Sequence, residues 1–216
     1  MKSIPYFLFT AMILFVAGCS KDDDTSGTPN NNNNNSGTSR NTINDAWQFS
    51  VKIDGTTYSH KEGLQDYQGS LSWGASLTTP PDSSSTSFGS WLGDINTPNL
   101  SLGIETGIIK FLGNHLDTTR FKSFFQTGIL SYNTASIKWV QVKWVDATGD
   151  FWSTTAGTGL QTGSNFTITD IKPLGFVLGD YYMKFRATFN CTLYNDITGA
   201  SMQLTDGLYV GGFGNY

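Results

Sequence analysis

One stretch near the end of the chain restricts the fold more than any other. Tyr181, Met183, Phe185, Ala187, Phe189, Cys191 and Leu193 fall on one side of a two-residue period, and Tyr182, Lys184, Arg186, Thr188, Asn190, Thr192 and Tyr194 on the other. Extended backbone sends successive side chains to opposite faces, so this period fits a strand with one buried and one wetter face. A strand this long belongs near the centre of a sheet. Trp47, Phe49, Val51 and Ile53 repeat the pattern, as do Leu71, Trp73, Ala75 and Leu77, and then Val140, Val142 and Trp144.

The punctuation between these runs is that of an antiparallel protein. Asp54-Gly55 turns the first run into a strand over 56–60, and Asp146 to Asp150 turns another into 151–154. Further strands are expected over 88–95, 100–105, 108–112 and 166–168, and over 202–204 and 208–210 on either side of Asp206-Gly207. Residues 78–87, rich in Pro and Ser, read as a loop. The one helix expected is 118–126, capped by Asp117 and pinned over an open sheet end by Phe121, Phe124 and Phe125. Strands in this number without βαβ spacing predict an all-β domain over 42–216, a two-layer antiparallel β-sandwich with one short helix. Charged residues are only 14 % of the chain. The net charge of −4 leaves no basic patch, which argues against nucleic acid as a partner.

The N-terminus follows a different rule. Lys2 precedes an apolar stretch over 6–16, too short for a bilayer span of about 20 residues but suited to a signal peptide. Val16-Ala17-Gly18-Cys19 resembles the lipobox of bacterial lipoproteins at every position. The resemblance implies cleavage after Gly18, a diacylglycerol thioether on Cys19 and acylation of its new amine, so that the partner is the membrane. Ser20, Lys21, Asp22, Asp23 and Asp24 are similar to the acidic export signal of Bacteroidota surface lipoproteins, which implies the outer membrane, facing outward. Residues 25–41, with six asparagines in a row from Asn30, cannot bury enough apolar surface to order themselves and read as a tether. At coil dimensions, 20–41 reaches roughly 25 Å. With Cys19 lipidated, Cys191 has no disulfide partner and is expected as a small buried residue.

The second half resembles small β-rich lipoproteins of Bacteroidota, a family with no agreed activity. The shared features are Val140-x-Val142-x-Trp144-x-Asp146-x-x-Gly149-x-x-Trp152-Ser153, Phe166-x-Ile168, Ala187-Thr188-Phe189 and Asp206-Gly207, with Val51-Lys52-Ile53-Asp54-Gly55 at the start of the domain. These are turn and core positions, and no site residue is implied by them.

Chemistry is sparse. There is no Gly-x-Ser-x-Gly elbow, His-Glu-x-x-His pair, Gly-Lys-Ser/Thr phosphate loop or Cys-x-x-Cys, and Gly157-Thr158-Gly159 lacks dinucleotide spacing, so no cofactor is expected. His60 and His115 read as solvated loop residues, and Asp146 with Asp150 offers too few oxygens for calcium. Asp94, Glu105, Asp117 and Asp180 are the carboxylates from which a glycosidase pair would have to come. Among the tryptophans, Trp47, Trp73 and Trp144 keep phase with the core. Trp139 breaks phase, and Trp91 and Trp152 lie by turns, so Trp91, Trp139 and Trp152 are the candidate ligand-binding platform. The expectation is a non-catalytic surface lipoprotein binding extracellular glycan or protein, against an envelope assembly subunit or a glycoside-acting enzyme.

Overall fold

The alternating stretch forms β10 (Asp180–Asn195), in which inward residues are buried and the outward ones from Lys184 to Thr192 half-buried, while Tyr182 and Tyr194 near its ends are buried as well. The computed structural model describes residues 43–77, 83–97, 99–113, 115–132 and 134–215. The expected signal peptide, the expected lipidation site Cys19, the residues Ser20, Lys21, Asp22, Asp23 and Asp24 read as an export signal, and the expected tether lie outside the described residues. Before β10 come β1 (Gln48–Ile53), β2 (Thr56–Lys61), β3 (Tyr67–Ser76), β4 (Ser83–Asp94), β5 (Ser101–Leu112) and α1 (Thr118–Phe124). Then follow β6 (Gly128–Ile129), β7 (Val140–Val145), β8 (Phe151–Ser153) and β9 (Asn165–Val177), with β11 (Ser201–Asn215) last.

The domain is all-β with one short helix, and its strands pair antiparallel. The order is β2-β1-β11-β10-β8-β7-β5-β4-β3, with β9 on β10 and β6 on β9. The two layers are therefore halves of one curled sheet rather than two separate sheets. Three-residue β8 joins them, pairing β10 through Tyr194 and Asn195 and β7 through Lys143 to Val145. Alternation marks which face is buried but not which strand bridges the halves, so this link is invisible in the pattern. The halves meet over Phe49, Trp144, Tyr67, Phe185, Tyr209 and Phe213, all buried. Phe213 stacks between Phe185 and Phe125, both centroid distances being 4.4 Å.

Four local expectations change. Residues 83–87 are strand, part of β4, because Ser84 and Thr86 are buried and in register with β5. The runs at 100–105 and 108–112 are one strand, whose pairing with β4 shifts register between Thr86 and Phe88. Asp206-Gly207 is a bulge inside β11, not a turn. Asp206 takes φ +52, and Gly207 leaves room for the carbonyl and ring of Phe189, which a Cβ would strike. Trp73 keeps the inward phase yet is 46 % exposed, on β3 at the edge of the sheet.

The helix ends as its residues dictate. Asp117 accepts from the Thr119 N–H at 2.8 Å, and Phe121, Phe124 and Phe125 bury themselves against Phe88. Cys191 is buried and free, its thiol pushed up to about 12 by burial.

Phe189 stacks on Phe166 in the core, while Thr188 points outward and stays half-buried. Phe189→Ala should lower unfolding free energy by about 3–5 kcal/mol and Thr188→Ala by under about 1 kcal/mol. Denaturant titration of both variants checks this; equal losses would contradict a strand with one buried face.

Candidate functional site

The outer face of β5 is built from small residues that make room for large ones. Leu102, Ile104 and Thr106 face inward and are buried, so Gly103, Glu105 and Gly107 face outward. Trp91 on β4 pairs with Gly103, and its indole occupies the space a side chain there would need. Four residues on, about 13 Å along the strand, Gly107 makes room chiefly for backbone, the Ile137 carbonyl and the Trp139 N–H, with the edge of the Trp139 ring beside them. Between them Lys143 Nζ donates to Glu105 Oε1 at 2.7 Å.

Trp139 owes its place to backbone bonds. Its carbonyl accepts from Gly107 N–H at 3.0 Å and from Thr106 Oγ1 at 2.8 Å, while Ile137 O accepts from Ile108 N–H at 3.2 Å. These ties hold the loop before β7 against β5 and open a cleft of about 590 Å³. Its apolar wall is Ile108, Ile137, Trp139 and Phe124; Lys110, Arg120, Ser123 and Thr134 supply polar groups. Arg120 Nη1 donates to Lys110 O at 3.3 Å, which brings the guanidinium beside the strand. Lys138 Nζ lies 5.7 Å from the Phe124 ring centre, an added cation near this wall. Among the described residues, no carboxylate, histidine or cysteine lines the cleft. A second cavity, about 30 Å³ between Trp73, Leu77, Phe88, Phe111 and Leu116, is of the size of a single water.

Of the three candidate tryptophans, two share a surface. Trp91 and Trp139 both lie on the outer face of β5. Trp152 pairs in register with buried Trp144, packs against the core, and donates from Nε1 to Asp146 Oδ2 at 2.8 Å. It closes the β7–β8 turn. The other cleft residues were not legible as a site. Ile137 alternates with Trp139, the only hint, and Arg120 arrives from the helix.

The carboxylates are spread out and engaged. Asp94 accepts from the Asn96 N–H at 2.7 Å, Asp117 caps the helix and Glu105 holds Lys143, while Asp180 stands apart from them beside the β9–β10 turn, its backbone in register with Val177. Asp146 Oδ1 accepts from Thr148 N–H, Thr148 Oγ1 and Asp150 N–H, and Oδ2 accepts from Trp152. Protein donors therefore use both oxygens of Asp146, one of the two carboxylates weighed for calcium. Among the described residues, no three His, Cys, Asp or Glu side chains are placed to share a metal ion. His60 is not a loop residue: it lies in β2, stacks on Tyr67 at 4.1 Å, and burial lowers its pKa.

No family model, curated protein or solved structure matches this chain.

Partial burial works to raise the Asp146 pKa, but the hydrogen bonds from Thr148, Trp152 and Asp150 together outweigh it and hold the carboxyl below the ordinary 3.8. A depressed folded pKa adds stability above the unfolded value, and this is lost as pH falls through the folded one. Asp146→Asn should therefore be less stable than the parent at pH 7, with the gap narrowing below pH 3.8. Urea midpoints at pH 7 and in the acid range check it; a constant gap would contradict the linkage.

Proposed function

We propose that this chain is a lipid-anchored outer-membrane surface protein, similar to the Bacteroidota lipoproteins, whose β-domain binds extracellular glycan without transforming it. The observation that carries the binding reading is the cleft beside Trp139. Its volume falls within the roughly 300–1,000 Å³ of ordinary ligand pockets, and it sets an indole and two isoleucines against cations and hydroxyls. The face of a sugar ring carries C–H groups that pack on an indole, while its edge carries hydroxyls that need polar partners. A glycoside-cleaving reading needs two carboxyl groups flanking one bond, and among the described residues no Asp or Glu lines this cleft. The chain has net charge −4, yet Lys110 and Arg120 sit together here. That local sign favours saccharides bearing carboxylate or sulfate groups.

Val16-Ala17-Gly18-Cys19 supports the anchor, and Ser20 to Asp24 support the outward-facing position. Cys19→Ser should abolish detergent partitioning and leave the domain folded, since no thioether forms without the thiol. Continued partitioning would overturn the anchor.

An array of neutral and acidic glycans, followed by calorimetry, tests the cleft. Trp139→Ala should weaken binding by about 0.5–1.5 kcal/mol beyond lost contact area. Arg120→Gln should weaken acidic saccharides and spare neutral ones, because Arg120 is exposed and supplies charge rather than packing. A blank array, or equal loss for both glycan classes with Arg120→Gln, would count against this reading.

A further inference from the structure

The β9–β10 hairpin breaks a rule that the same chain keeps elsewhere. Val177 pairs with Asp180, so Leu178-Gly179 is a two-residue turn, with φ +54 and +99. Asp54-Gly55 makes the corresponding turn between β1 and β2 with φ +43 and +88. Two positive φ values favour Asn, Asp or Gly at the first position, because a bulky side chain is strained there. Leu178 accepts that strain and is 94 % exposed, so it gains almost no burial. Leu174, Phe176 and Val177 are exposed beside it. Four large apolar side chains thus stand at one hairpin tip, with no folding gain to explain the outermost.

The place of this tip narrows its partner. Lys172 Nζ, on the hairpin stem, donates to Asn44 Oδ1 at 2.8 Å, and Lys184 Nζ, on the paired strand, donates to Asp45 O. The stretch that leads from Cys19 therefore joins the domain at this stem. From Lys172 to Leu178 the strand extends about 20 Å. That matches the roughly 25 Å coil reach of 20–41. Behind the tip, Lys122 Nζ lies 4.4 Å from the Tyr181 ring centre, and Tyr181 meets Phe176 edge-on at 5.1 Å. Apart from Asp180 just past the turn, the tip is apolar with lysines a few residues behind it, which fits the boundary between acyl chains and headgroups.

We propose that the tip Leu174, Phe176, Val177 and Leu178 seats in the bilayer that holds the anchor, fixing the orientation of a domain otherwise held only through its tether. The inference rests on the anchor reading above. Ile197 provides a matched control: it is 90 % exposed in the turn at the other end of the 16-residue β10. Leu178→Cys and Ile197→Cys are made in the full-length, lipidated protein, labelled with an environment-sensitive dye and reconstituted into phosphatidylethanolamine–phosphatidylglycerol vesicles. Cys191 is buried and stays unlabelled. The Leu178 label should shift to shorter wavelength and be quenched by lipids carrying nitroxide on their acyl chains, and the Ile197 label should do neither. Floating protein whose two labels behave alike overturns the proposal and leaves the anchor standing. The same Leu178 shift without vesicles also overturns it, in favour of contact with a second copy. Loss of flotation overturns the anchor and this inference together.

Discussion

A sheet that curls onto itself has to bring two backbones close without stranding their polar groups, and here β11 and β4 meet at Ser90. Gly212 N–H donates to Ser90 Oγ at 3.1 Å, and the Ser90 and Tyr209 hydroxyls lie 3.1 Å apart, buried. A Cβ at Gly211 would strike both Ser90 Oγ and the Tyr209 ring, so the approach needs that glycine. Burial raises the Tyr209 pKa, which keeps its hydroxyl neutral across the physiological range. The contact is thus insensitive to pH. Around it, Tyr209 stacks on Phe185 and Phe185 on Phe213, so the polar contact adjoins the aromatic core that the β10–β11 pairing sets in register. An unpaired hydroxyl in the same place would cost about 1–3 kcal/mol.

Where a residue's neighbours in sequence decide its structure, the chain was readable. The phase of β10, the Asp54-Gly55 turn and the Asp117 cap are local, and all three appear where the pattern puts them. What depends on distant partners was not. Phase shows that Trp73 points inward, but its burial depends on where its strand lies in the sheet, and β3 is an edge. Trp152 looked free beside a turn, yet its indole is held by Asp146 and its ring pairs with Trp144. The outer half of β9 was missed because Pro173 and Gly175 interrupt its pattern and Leu178-Gly179 lacks the usual turn residue. In the cleft, only Trp139 was legible, by breaking phase; Lys110 and Arg120 come from a strand and a helix that share no motif.

The contrast between core and rim bears on what the rim is for. With one free, buried cysteine among the described residues, the domain is held by apolar and aromatic burial, with Phe121, Phe166, Phe185 and Phe213 almost wholly enclosed. Net stability is a small remainder of large terms. Within it, a leucine at positive φ in full solvent and an indole half-open to a cleft each forgo stabilisation that a smaller or more polar residue would recover. Consistency across levels is what makes a sequence fold, so departures from it concentrate where something other than folding is selected. The two departures lie on different elements. The hairpin tip stands on the stem where the N-terminal segment joins, and the cleft opens on the outer face of β5. Helix α1 lies close to both, Lys122 against Tyr181 behind the tip and Arg120, Ser123 and Phe124 in the cleft, and on the proposed seating the strain at Leu178 would be offset by the bilayer rather than by the fold.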